Sequence, residues 1–180
     1  MNLVKEIVYR FRGEYTTEKL IKMGMKVGEN FGRLNGVILD PSHCWLIEIG
    51  DNVTLAPRVH ILCHDASTKY HLGYTKIGRV VIGDNVFIGA ESVVLPNIHI
   101  GSNVIIGANS TVTKDIPDNV VAVGTPAKII CSLDEYLECQ KCNMKSAHLY
   151  DESYTLRGNL TEEKKQQMIS ELKQGIGYID

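Results

Sequence analysis

The chain has 180 residues, 19 basic and 21 acidic side chains and a formal net charge of −2. That length suits one domain with a small appendage, and 44% hydrophobic residues exclude a disordered chain. The near balance of charge argues against a nucleic-acid or anionic-membrane surface. No apolar run approaches the roughly 20 residues of a membrane-spanning helix. Met1 to Glu6 lack the apolar core of a signal peptide, so a cytoplasmic location is the expectation. The five cysteines are odd in number and show no disulfide framework. Cys139 and Cys142 form a lone CxxC that lacks two further ligands for a structural zinc.

In chain order, residues 1–30 read as an N-terminal helical segment. Leu3, Val4, Ile7, Val8 and Phe11 have a helix-compatible spacing over 3–12. Thr16 or Thr17 caps a second short helix that reaches Met23, with Gly24 as its stop. From residue 31 a period of six sets in: Phe31, Val37, His43, Ile49, Leu55, Ile61. The phase then breaks, and polar, glycine-containing sequence at about 66–80 reads as a protruding loop. The period resumes with Ile82, Ile88, Val94, Ile100, Ile106 and Val112. Gly83, Gly89, Gly101 and Gly107 follow four of these. Val86, Ser92, Ile98, Val104, Ser110 and Ile116 fill the fifth position, and Asn85, Asn97, Asn103 and Asn109 the fourth.

A period of six is neither helical nor a plain strand alternation. It describes a β-helix with three short strands and three corners per coil, over 31–131. The aliphatic residue points inward with the fifth-position residue beside it. Asparagine tolerates left-handed corners, and glycine permits close backbone approach. Residues 132–180 read as a C-terminal helical extension. Ser132-Leu133-Asp134-Glu135 is a capping-box pattern opening a helix through about Cys142. Residues 143–158 read as loop, and a charged helix spans 161–173 before Gly175.

The segments Ile49-Gly50-Asp51-Asn52-Val53, Val81 to Gly89, Val112 to Pro117 and Val123 to Lys128 resemble the hexapeptide-repeat acyltransferases. The resemblance covers about 31–131 and is nearest to the O-acetyltransferases of galactosides, maltose and capsular polysaccharides. It implies a mainly β fold, a left-handed parallel β-helix, assembled as a homotrimer with sites between subunits. It implies acetyl-CoA as co-substrate and a saccharide acceptor.

Acyl transfer to a hydroxyl needs a base, and histidine suits neutral pH. Of six histidines, His64 stands where the chain leaves the coil for the inserted loop, a common place for function. Ala56 to Asp65 also resembles the family segment that ends in its catalytic histidine. His64 is therefore the expected base, His60 a coil-wall rival, and Cys63 a packed thiol rather than a nucleophile. The group that orients His64 stays open: Asp65 is adjacent but diverges on extended chain, and a backbone carbonyl would serve. The resemblance implies a pantetheine groove at Ala90, Ala108 and Thr113, with Lys114 and Lys128 near the phosphates. A backbone N–H near Ala90 is the expected oxyanion donor. Asp40, His43 and Phe87 are candidate acceptor contacts. Trp45 either stacks on a sugar or plugs the coil end, and Tyr70, His71 and Tyr74 either meet acceptor or partner or pack within the loop. Gamma-class carbonic anhydrases share such coils and hold zinc on three histidines, for which His60, His64, His71 and His99 would be candidates. No histidine follows His99 until His148, beyond the coil, so no metal is expected.

Overall fold

The computed structural model describes residues 15–180. The helix expected over 3–12 lies outside the described residues. Thr16 caps the helix Thr17–Lys22, its hydroxyl accepting from the Lys19 amide at 3.2 Å. Gly24, at φ +110°, ends it.

A three-faced parallel β-helix follows. The first face stacks Lys26–Val27, Ile47–Ile49, Val80–Ile82 and Ile98–Ile100. The second stacks Gly32–Arg33, Thr54–Leu55, Val86–Ile88, Val104–Ile106 and Val120–Val123, and the third Ile38–Leu39, His60–Ile61, Val93–Val94 and Thr111–Val112. Neighbouring strands within these stacks are parallel. Lys128–Ser132 then turns back antiparallel along Val120–Val123. The regular coil thus begins at Lys26, earlier than residue 31.

The sequence pattern explains the core. Ile82, Ile88, Val94, Ile100, Ile106 and Val112 are all at most 1% exposed. The fifth-position residues are buried beside them, Ser92 and Ser110 included. The two serines are satisfied inside the prism: each hydroxyl donates to the Gly107 carbonyl, at 3.0 and 2.7 Å. Burying each Val, Leu or Ile contributes about 1.5–3 kcal/mol, so a column of them holds a slender coil without large aromatics. At one corner Asn30, Asn52, Asn85, Asn103 and Asn119 all have positive φ. Each of the first four donates from Nδ2 to the next asparagine's Oδ1, at 2.9–3.0 Å. Gly89 shows why that slot is glycine: a Cβ there would collide with the Ala108 backbone of the next coil.

Coil lengths are unequal, and this positions the site. Successive coils are offset by 22, 33, 18 and 16 residues. The 33-residue step holds the protruding loop. It contains short helical turns at Ala66–Thr68 and Lys69–Leu72 and is joined at its base by antiparallel pairing of His64–Asp65 with Lys76–Ile77. The 22-residue step corrects the upstream phase. Leu39, not His43, pairs with Ile61 across the third face. Val37 is an inward neighbour like Val59, both wholly buried. His43 sits on a bulge between faces, where Cys44–Leu46 form a 3₁₀ turn.

The chain divides into two compact units at Leu133 and Asp134. The second holds the helices Leu133–Met144 and Glu162–Glu171, the latter capped by Thr161. The stretch read as loop over 143–158 contains a strand: Leu149–Tyr150 pairs in parallel with Tyr178–Ile179. Two-residue strands leave no periodic signal. Tyr150 anchors this unit, 7% exposed, and its hydroxyl donates to Glu171 at 2.8 Å. No helix among the described residues is long and apolar enough to cross a membrane.

Candidate active site

The site forms where the bulge of the first coil meets the exit of the second. Asp40 directly follows the strand Ile38–Leu39, and its amide donates to the Ile61 carbonyl at 3.0 Å. That pairing fixes Asp40 beneath Cys63 and His64, although 24 residues separate Asp40 from His64. The carboxylate is 0% exposed. Its Oδ1 accepts from the Ser42 amide at 3.0 Å, and its Oδ2 from the Cys63 amide at 2.9 Å. The same Oδ2 lies 2.5 Å from His64 Nδ1.

Burial alone pushes the Asp40 carboxyl up. The His64 hydrogen bond, the Cys63 amide, the attraction of His64 and the Ser42 amide outweigh it and hold the group below its ordinary 3.8. An ionised carboxylate only accepts, so His64 Nδ1 carries a proton, and the lone pair of the neutral ring is the one on Nε2. The His64 side chain is 37% exposed, within reach of an incoming molecule. The adjacent Asp65 is engaged elsewhere: it pairs with Lys76 at 2.5 Å and caps the Ser67 amide at 2.8 Å. Those bonds fasten the root of the loop and so the backbone of His64.

Cys63 is wholly buried, and burial followed by the nearby Asp40 charge pushes its thiol up to about 12. A thiol so protonated and enclosed is a poor nucleophile. His60 lies on the coil wall in the third face.

The structure brings together His64, His43 and Trp45, with ring centroids 5.4 Å apart from His43 to His64 and 5.5 Å from His43 to Trp45. Trp45 is 54% exposed, so it does not plug the coil. Asp40, a candidate acceptor contact in the sequence, is a buried carboxylate with both oxygens engaged by Ser42, Cys63 and His64.

The remaining candidates sit at other places on one copy. Thr113 and Lys114 are exposed and leave the third face at the same corner as His64, two coils further on. Ala90 and Ala108 stack at the opposite corner of that face, where the Asn109 amide donates to the Ala90 carbonyl at 2.7 Å. Phe87 is exposed on the second face, in register with Thr54 and Ile105. Lys128 is exposed on the returning strand. One copy therefore does not bring Ala90, Ala108 or Phe87 to His64. Tyr70 and Tyr74 are 94% and 80% exposed on the loop, not packed within it.

Residues 79–114 match the family model described as bacterial transferase hexapeptide (six repeats). Protein CapG of Staphylococcus aureus is 40% identical over 155 residues, which cover 82% of this chain and 84% of CapG. The chain belongs to the hexapeptide-repeat acyltransferases. The prism is accordingly a left-handed parallel β-helix, and the protein is an acyltransferase. A maltose O-acetyltransferase from Clostridium difficile 630 is 47% identical, with a TM-score of 0.53 over 61% of this chain and 59% of that one. A hexapeptide-repeat acetyltransferase from Vibrio cholerae, solved with acetyl-CoA, is 30% identical, with a TM-score of 0.54 over 61% of each chain. The chain thus spans less than two thirds of these two solved relatives.

Proposed function

We propose that this acyltransferase moves the acetyl group of acetyl-CoA to a saccharide hydroxyl by direct attack, with His64 as general base. The observation that carries the reading is the bond from His64 Nδ1 to buried Asp40, which leaves Nε2 free. Nε2 takes the hydroxyl proton as the oxygen attacks the thioester carbon, and the imidazolium then protonates the departing thiolate. Asp40 holds the ring and stabilises its transient charge. Trp45 offers a face for a sugar ring, and the maltose enzyme's name supports a saccharide acceptor.

We further propose a homotrimer. Ala90, Ala108 and Phe87 are remote from His64 on one copy but would meet it across a groove between two. There Ala90 and Ala108 would supply the pantetheine wall and the oxyanion donor and Phe87 an acceptor contact, while Thr113, Lys114 and Lys128 meet the coenzyme. Sedimentation is expected to give a trimer, and a monomer would contradict this arrangement.

The acceptor is tested by measuring thiol release from acetyl-CoA with maltose, galactosides and amino sugars beside serine. At least one saccharide is expected to exceed serine by more than about tenfold, since a site that hydrogen-bonds its substrate discriminates strongly. Preference for serine would overturn the saccharide reading.

A further inference from the structure

Asp40, His43 and His64 are the one group of three potential metal ligands found among the described residues, each with a ligand atom within 4.8 Å of the other two. It is not the histidine set considered from the sequence. A second observation points the same way. His43 Nδ1 is buried with no hydrogen-bond partner, and leaving a buried polar nitrogen unsatisfied is unfavourable. Nothing in the proposed transfer uses that atom. Two imidazoles and one buried carboxylate are the donor set of a tetrahedral zinc site with an open fourth position. Nitrogen donors favour zinc and its neighbours over magnesium or calcium.

We propose that the base pocket is also an inhibitory site for a divalent transition metal, zinc foremost, held by Asp40, His43 and His64. The metal fills the valence left at His43 and, where it takes His64 Nδ1, replaces the His64–Asp40 hydrogen bond. If it takes His64 Nδ1, the ring proton resides on Nε2 and the base has no lone pair. If it takes Nε2, it occupies that lone pair directly. Either way the metal stops proton abstraction, and the displaced proton goes to Nε2 or to buffer. The inhibition rests on His64 being the base, whereas the binding does not.

The test uses the full chain with Cys139→Ser and Cys142→Ser, which removes the exposed CxxC as a competing site. Zinc ion is titrated against a chromophoric chelator, with magnesium as control. The expected result is one zinc per chain, no competition by magnesium, and affinity weakened by more than about tenfold on adding His43→Ala or His64→Ala. Equal zinc affinity in all three proteins, or no binding at micromolar zinc, would overturn the site. Acetyl transfer is then followed against zinc occupancy and is expected to fall in step. Undiminished or increased turnover at full occupancy would overturn the inhibition. If no acetyl transfer is found at all, the functional reading fails, and the zinc stoichiometry still decides the site.

Discussion

Replacing His64 by alanine is expected to lower kcat for acetyl transfer by about 10²–10⁴, the usual contribution of a positioned general base. The KM for acetyl-CoA should change little, because none of the coenzyme contacts proposed here is made by the His64 side chain. The fold should survive: His64 is partly exposed, and Asp65 still pairs with Lys76 to fasten the loop. Asp40 and His64 act as a unit, so the double variant His64→Ala, Asp40→Asn should be no slower than His64→Ala. Multiplicative losses would assign Asp40 a role apart from the ring. Turnover unchanged in His64→Ala would remove His64 as the base. The alternative nucleophile, Cys63, is enclosed and its thiol strongly protonated, so nothing nearby would compensate.

The downstream half of the coil was legible because its repeat is uninterrupted. Residues 82–112 keep one phase, and a buried aliphatic every sixth residue leaves no other period to fit. The upstream half misled because the run from Phe31 to Ile61 also has a period of six, but only part of it occupies the inward slot. Phe31 and Val37 fill the neighbouring slot, and the bulge around His43 makes that coil 22 residues long. Counting one coil as eighteen residues sets the whole segment Asp40 to Trp45 beneath the histidine segment, but with His43 rather than Leu39 opposite Ile61. The structure puts Asp40 beneath Cys63 and His64, one residue after the strand that pairs with His60–Ile61. No spacing rule links residues 24 apart across an irregular bulge, so the pairing of Asp40 with His64 was hidden while His64 itself was not. His64 was visible for a local reason: it ends a regular run and begins a loop. Ala90, Ala108 and Phe87 were named by resemblance, and one chain alone gives them no geometry with His64.

Asp40→Asn is expected to damage both activity and stability, for reasons that can be separated. The carboxylate serves three donors, the Ser42 and Cys63 amides and His64 Nδ1. A carboxamide has one accepting oxygen, so one of its sides presents N–H to a donor. If the NH₂ faces His64, the ring must accept at Nδ1 and keep its proton on Nε2, the wrong tautomer for a base. If it faces Ser42, the base keeps its tautomer but loses the charge that steadies the imidazolium. The kcat should fall by at least about 10² with little change in the KM for acetyl-CoA. A purely structural residue would not give that split. Frustrating a buried, fully used acceptor costs about 2–4 kcal/mol, which for a chain of this length lowers Tm by about 5–15 °C. The pH dependence has a fixed sign. Asp40 is held below its ordinary 3.8 in the folded protein, so its contribution is complete above 3.8 and is lost as pH falls through the lower folded value. The Tm gap between the parent protein and Asp40→Asn should therefore not narrow from pH 8 to about 5 and should narrow only in stronger acid. A gap that closed near neutrality would mean that Asp40 is not the ionised acceptor that holds His64.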